Sequence, residues 1–291
     1  MIAVVYLAWA PLGPEPMREF LRFYRRHPAG AEHELIILLN GHRGGRREGG
    51  QRTGDAAGSA GDTVAEAAAT DDPALPAELA DVEHRLLVLP RPVLDLPAYG
   101  LAARALDHDR LCLLNSYSQI LADGWLGLLD AACSEPGVGL AGASGSWESQ
   151  AEWVRGKRRH WLHQLATLPR ARRDYPRFPN PHIRTTAFMA RRESLLELGL
   201  EGAGDKRATY LLESGPRSVT RIVQERGLRV VVVGRDGRAY DVADWPRSAT
   251  YRAGGQRNLL VADRRTADWE RASPWLRRRL SRDAWGTATA G

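Results

Sequence analysis

Four consecutive apolar residues, Leu111-Cys112-Leu113-Leu114, stop abruptly at the polar run Asn115-Ser116-Tyr117-Ser118. A run this short is no ordinary helix, and a strand apolar on both faces must be covered on both, so it predicts a central strand of a layered α/β sheet. Ligands of such sheets sit at the carboxyl edge, where residues 115–118 would stand. The spacing of Leu126, Leu128, Leu129 and Ala132 then predicts a helix entered at Asp123-Gly124.

The same alternation recurs along the chain. Residues 2–9 predict a first strand, closed by Pro11, Gly13 and Pro14. From Pro16 the period turns helical: Met17, Phe20, Leu21 and Tyr24 share one face, Arg18, Glu19, Arg22, Arg25 and Arg26 the other, and Pro28 and Gly30 end the segment. Residues 33–41 predict a second strand ending in Asn40-Gly41, and strand, helix, strand at this length is a parallel βαβ unit. Further strands are expected at 86–89, 138–143 and 229–234, an extended run at 179–193, and helices at 101–106, 195–198 and 219–227. Residues 44–72 are too poor in large apolar side chains to order themselves, so 42–76 is expected to be a flexible insertion, with a lid over a ligand as the alternative. The main domain is then 1–257, and 258–291, with Trp269, Trp275, Leu276 and Leu280 among many arginines, a helical tail.

The opening apolar run is shorter than a bilayer span and has no basic n-region or small-residue cleavage site, so a cytoplasmic protein is expected. The net charge is +6, yet Lys157 and Lys206 are the only lysines among the basic residues, which points to compositional bias. No nucleic-acid-binding motif accompanies the arginines, and no nucleic acid is expected as a partner. Residues 148–173 combine Trp153 and Trp161 with Arg155, Lys157, Arg158, Arg159, Arg170, Arg172 and Arg173, an amphipathic helix with a basic face. Three readings of it stay open: a solvated face, an acceptor or phosphate site, and a patch for the membrane surface. Cys112 and Cys133 are expected to be buried thiols. There is no Gly-x-Gly-x-x-Gly after the first strand and no Gly-Lys-Ser/Thr loop, and residues 142–146 fall one short of a nucleophile elbow.

The strand ending at Trp9, the second strand with Asn40-Gly41, the helix beginning near Asp95 and Tyr99, the crest 115–118 with Asp123-Gly124-Trp125-Leu126, and His182-Ile183-Arg184 leading to Phe188-Met189 and Arg191-Arg192-Glu193 come in a particular order. That order resembles glycosyltransferases of the GT-A fold, in particular the family-2-like transferases of bacterial polysaccharide synthesis, over residues 2–237 apart from the insertion. The resemblance implies a single α/β domain with a Rossmann-like, mainly parallel sheet flanked by helices. It implies transfer of a sugar from a nucleotide-sugar donor to a glycan or lipid-linked acceptor, at the inner face of the membrane, with inversion. The donor side would comprise Trp9, Asn40, Asp95, Tyr99, Asn115, Ser116, Arg184 and Lys206.

In that family the central strand ends in an Asp-x-Asp pair holding a divalent cation, a task for charged oxygen ligands. Here the positions read Asn115-Ser116-Tyr117, and the second-strand acidic turn reads Asn40-Gly41. No metal ligand is therefore assigned, and Mg²⁺ or Mn²⁺ is left open as cofactor. Arg184, Arg191 and Arg192 are the candidates to neutralise the diphosphate instead. By the same resemblance the base that takes the acceptor proton falls on Glu213, in Tyr210-Leu211-Leu212-Glu213-Ser214-Gly215-Pro216; a helix-start carboxylate is the alternative. Lys206 could pair with a phosphate or with Glu213. Asp244 and Trp245, near Asp236, Tyr240 and Asp241, suit an acceptor sugar, an aromatic face beside a carboxylate, or else are turn residues and a packed Trp. The alternative for the whole chain is a catalytically inactive GT-A-like nucleotide- or glycan-binding module in a polysaccharide assembly complex.

Overall fold

A computed structural model describes residues 1–41, 64–67, 75–152, 169 and 172–288. In chain order the elements are β1 (Ile2–Trp9), α1 (Glu15–Arg26), β2 (His33–Asn40), β3 (Ala65–Ala67), β4 (Arg85–Val88), α2 (Asp95–Ala105), β5 (Arg110–Leu114), β6 (Gln119–Ile120), α3 (Trp125–Ser134), β7 (Val138–Gly142), β8 (Gly145–Ser146), β9 (His182–Ile183), β10 (Ala187–Arg191), α4 (Arg192–Leu198), α5 (Lys206–Ser214), α6 (Val219–Glu225), β11 (Arg229–Val233), β12 (Ala239–Asp241), β13 (Val261–Ala262), α7 (Arg264–Arg271) and α8 (Pro274–Trp285).

Among the described residues the main sheet has nine strands in the order β12-β11-β7-β10-β5-β1-β2-β4-β3. β1 pairs in parallel with β2 from Ile2 opposite His33 to Trp9 opposite Asn40, and with β5 on its other side. Helices cover both faces, which is why the central strands read as unbroken apolar runs. Ala3 and Val5 face one cluster with Leu96 and Leu101 of α2, Leu195 of α4 and Val223 of α6. Val4 and Tyr6 face the other, with Phe20 of α1 and Trp125 of α3. Tyr6 stacks on Phe20 at 4.0 Å between centroids. Gly124 opens α3 at φ +71°, and a Cβ on Gly30 would lie 2.7 Å from its Cα, so both positions need glycine. The expected class, a single α/β domain with a mainly parallel sheet flanked by helices, is what these residues build.

Three features depart from the expectations. β10 is inserted antiparallel between β5 and β7, so its carboxyl end lies at the opposite edge from theirs. Helix α2 starts at Asp95, where the resemblance puts a helix start, and so reaches further back than the apolar stretch at 101–106. Within the stretch expected to be flexible, Ala65–Ala67 forms an edge strand on β4; most of the rest lies outside the described residues. So does most of the basic amphipathic helix expected at 148–173, including Trp153 and Trp161.

The C-terminal segment is packed into the body. Leu259, Leu260 and Val261 are fully buried, and β13 pairs with β6 beside the crest of β5. Trp285 closes α8 onto the domain, its Nε1 donating to the Tyr251 carbonyl at 2.7 Å. Cys112 and Cys133 are buried free thiols, as expected. Among the described residues no helix is long and apolar enough to cross a membrane.

Candidate active site

At the carboxyl end of β5, where the chain leaves the sheet and β10 enters it, lies a cavity of about 520 Å³ lined by Asp95, Asn115, Arg184, Thr185, Glu213 and Arg265 among others. A larger one of about 890 Å³ adjoins it across the start of α2, since Leu94 lines that cavity and Asp95 the first. Trp9, Arg91, Arg104 and Lys206 line the larger cavity. Both open at the sheet edge that the topology reserves for ligands.

Asp95 and Glu213 bring two carboxylates into the smaller cavity from different helices. Asp95 is the first residue of α2, and its Oδ1 accepts from the Leu96 N–H at 3.0 Å. Glu213 lies in the last turn of α5. The expectation of a helix-start carboxylate is thereby corrected. The positive end of α2 favours an ionised Asp95, and the negative end of α5 disfavours an ionised Glu213. Burial, and then the neighbouring Asp95, push the Glu213 carboxyl up to about 8, while Arg265, Arg184 and a hydrogen bond from Thr185 hold the rise back. Asp95 is also raised, by burial, with Thr185 and Leu96 opposing. A carboxyl poised near neutrality beside a second carboxylate is the arrangement a general base requires.

Across the cavity the charges are matched. The Arg184 guanidinium is ion-paired to Asp263, which also accepts from Thr186 Oγ1 at 2.8 Å. Asp263 in addition caps α7, accepting from the Thr266 N–H at 2.9 Å. The Arg184 guanidinium stands 4.1 Å from the Tyr251 ring centroid. Although burial opposes it, Arg184 holds Asp263 down at about 2. Arg184 therefore lines the cavity with its charge already partnered.

The residues at the end of β5 build a turn. Asn115 Oδ1 accepts from the Tyr117 N–H at 3.0 Å and from Ser118 Oγ at 3.3 Å. Ser116 points inward, its Oγ donating to the Leu7 carbonyl at 2.6 Å, which corrects its assignment to the donor side. Among the described residues no group of three or more His, Cys, Asp or Glu side chains is placed to hold a metal ion. The site thus does not fit the divalent cation that the resemblance implies. What the crest offers instead is the Tyr117 ring, with Arg264 beside it.

Other expected residues are placed as follows. Trp9 and Lys206 line the larger cavity, and Lys206 Nζ lies 5.6 Å from the Tyr210 ring centroid. Lys206 and Glu213 stand at opposite ends of α5, about 10 Å apart along its axis, so they do not form the pair envisaged. Asn40 is buried and donates to the Val93 carbonyl at 2.7 Å while accepting from the Val93 N–H at 3.1 Å; it clamps the loop before α2 rather than facing a ligand. Tyr99 is fully buried, edge-on to Phe188 at 5.9 Å. Trp245 is also fully buried, its Nε1 on the Tyr240 carbonyl at 3.0 Å, and Asp244 makes a surface pair with Arg247. Neither residue touches the cavities, so the packed-Trp alternative holds. Arg191 and Arg192 sit at the far end of antiparallel β10, where Arg192 Nε donates to the Ala103 carbonyl at 2.8 Å. They are on the wrong edge to meet a diphosphate.

Sequence reasoning missed His182, Thr185, Asp263, Arg264 and Arg265. His182 Nδ1 lies 2.8 Å from the Asn180 carbonyl, to which it donates, and burial lowers the pKa of the ring. The Ser-free sequence Asp263-Arg264-Arg265-Thr266 did carry a capping signal, an Asp before a helical period, but nothing linked it to the distant crest.

No protein-family profile matches this chain, and no curated protein matches it. Among solved structures it is similar to the mannosyltransferase PcManGT from Pyrobaculum calidifontis in complex with GDP-Man and Mn²⁺, at 13% identity and a TM-score of 0.43. The match covers 85% of this chain and 59% of that protein's length.

Proposed function

We propose that the chain is a glycosyltransferase of the GT-A type that moves a sugar from a nucleotide-sugar donor to a hydroxyl of a glycan or lipid-linked acceptor, with inversion. The observation that carries this reading is the half-buried Asp95–Glu213 pair, two carboxyls lining one cavity at the ligand edge of the sheet, with Glu213 pushed up to about 8. Glu213 takes the acceptor hydroxyl proton as that oxygen attacks the anomeric carbon. The bond from that carbon to the diphosphate oxygen breaks, and its electron pair leaves with the diphosphate. Burial first, and the neighbouring Asp95 second, make Glu213 basic. Trp9 and Lys206, in the larger cavity, serve the nucleoside end of the donor; Asp95 and Asn115 serve the sugar end. Arg184 is a positioning residue, through Asp263.

The catalytic domain is placed at 1–257, with 258–291 as a tail that walls one side of the cavity. An acceptor held at the cytoplasmic face of a membrane is supported by α8, where Trp275, Arg278, Arg279 and Arg282 fall on one helix face and Trp275 is 62% exposed.

A second reading, a site that binds nucleotide or glycan without turnover, is favoured by the absence of carboxylates at 115–117. One experiment separates the two: incubation with a panel of UDP-, GDP- and dTDP-sugars, followed for nucleoside diphosphate release. Release with at least one donor is expected of the enzyme. Binding without release supports the silent module, and neither binding nor release overturns both.

A further inference from the structure

The crest of β5 gives a divalent cation no carboxylate, yet a donor's diphosphate would still bring concentrated negative charge to the cavity. We propose that Arg264 and Arg265, on the first turn of α7, hold that diphosphate directly and stand in for the cation. The proposal rests on the glycosyltransferase reading above.

Arg264 is fixed at the crest. Its Nη1 donates to Tyr117 Oη at 3.3 Å, and its guanidinium lies 5.0 Å from the centroid of the Tyr117 ring. Tyr117 occupies the position that in the resembling family carries the second acid of the metal motif. Where that family places a negative ligand for a positive ion, this chain places an aromatic ring that seats a positive side chain.

Arg265 is the freer of the two. Among the described residues it makes no hydrogen bond or ion pair, and it lines the cavity together with Arg264. Its charge nevertheless acts on Glu213, Glu148 and His182, from three different parts of the chain. An arginine near buried carboxylates normally closes onto one, as Arg252 does onto Glu148 at 2.7 Å and Arg184 does onto Asp263. Arg265 does neither.

The acids facing the pair leave it available. Asp263 is committed to Arg184, Thr186 and the helix cap. Asp268, one turn along α7, lines the same cavity, and among the described residues it forms no ion pair with either arginine. Asp95 and Glu213 resist carrying two charges together. The cap also fixes the first turn of α7, so both guanidinium stems leave from a rigid base. The planar guanidinium fork matches two phosphate oxygens at once, and a charge so placed stabilises the diphosphate as it departs.

The test is calorimetric titration of the full chain with UDP, GDP and dTDP and with the matching nucleosides, in EDTA and again with MnCl₂, for the wild type, Arg264→Ala, Arg265→Ala, the double alanine variant and the double lysine variant. At least one diphosphate is expected to bind in EDTA, with Mn²⁺ changing its affinity by less than about threefold. The double alanine variant should weaken that diphosphate by about 10- to 100-fold, leave the nucleoside unchanged, and be partly rescued by lysine. Because both side chains are exposed, thermal melts should coincide, and each single variant repeats the comparison if the double one does not fold. Diphosphate binding that vanishes in EDTA, or that ignores both arginines, overturns the proposal and leaves the glycosyltransferase reading standing. Failure of every nucleotide to bind under either condition overturns that reading, and the proposal with it.

Discussion

Two acid-bearing pairs face each other across one cavity, and they are built on opposite principles. Arg184 with Asp263 is a matched pair, buried and tied further by Thr186 and a helix cap. Asp95 with Glu213 is a mismatched pair, two like charges under burial with only Thr185 hydrogen-bonded to both. The first satisfies its own electrostatics and holds the loop between β9 and β10 to the C-terminal segment. The second is left dissatisfied: burial and the neighbouring Asp95 both raise the Glu213 carboxyl, the property the proposed base role draws on. On the proposed reading, matched charge serves architecture here and mismatched charge serves chemistry.

The comparison is broken most severely at Glu213. Glu213→Gln is expected to lower turnover by about 10²- to 10⁴-fold, the usual worth of a positioned base, measured as nucleoside diphosphate release. The same change should stabilise the fold in alkali. A carboxyl raised from its ordinary value near 4.5 to about 8 is held more tightly as the acid in the folded state, so its contribution is fully present below pH about 4.5 and is lost as pH rises through about 8. Thermal melts should therefore show Glu213→Gln above the wild type at pH about 9 and level with it at pH about 4.

Asp263→Asn should break the matched pair instead. It leaves the Arg184 guanidinium buried without a counter-charge and is expected to cost about 3–5 kcal/mol in urea unfolding at neutral pH. In the wild type this carboxyl titrates at about 2, below its ordinary value of 3.8, so the stability it supplies is present above that value and is lost as pH falls through about 2. The variant should lack that acid-dependent loss.

Asn40→Ala sharpens the contrast between clamp and ligand. It removes both hydrogen bonds to Val93, and the expected cost is about 1–3 kcal/mol of stability, with donor KM moved only as far as the loop before α2 shifts. The smallest effect is expected from Asp244→Ala. Its pair with Arg247 is a surface contact, so stability should change by about 0–1 kcal/mol and acceptor KM not at all.

The strands of the sheet were largely legible in the sequence, because strands buried on both faces must be apolar throughout: those expected at 2–9, 111–114 and 229–234 form at 2–9, 110–114 and 229–233. The antiparallel sense of β10 was not, since Ala187–Arg191 is as apolar as its parallel neighbours and direction leaves no mark on composition. That one reversal sent Arg191 and Arg192 to the wrong edge. Glu213 and Asp95, both singled out in the sequence, line one cavity, but their proximity was not legible, since it is created by two helices that bring together residues 118 positions apart. The roles of Asn40, Ser116, Tyr99 and Trp245 failed for a common reason: a polar or aromatic side chain beside a ligand edge is as useful for tying loops to strands as for touching ligands, and only burial and partners tell the two apart. Arg264 and Arg265 were hidden because the tail that carries them reaches the crest only through β13 and the cap at Asp263.

The most direct measurement is the pH dependence of kcat/KM for wild type and Glu213→Gln with whichever nucleotide-sugar the chain accepts. The wild-type profile should climb tenfold per pH unit and level off above about 8, while the variant stays low and flat. A variant that turns over like the wild type, or a wild-type profile flat across that range, would contradict the assignment of the Asp95–Glu213 pair as the catalytic centre.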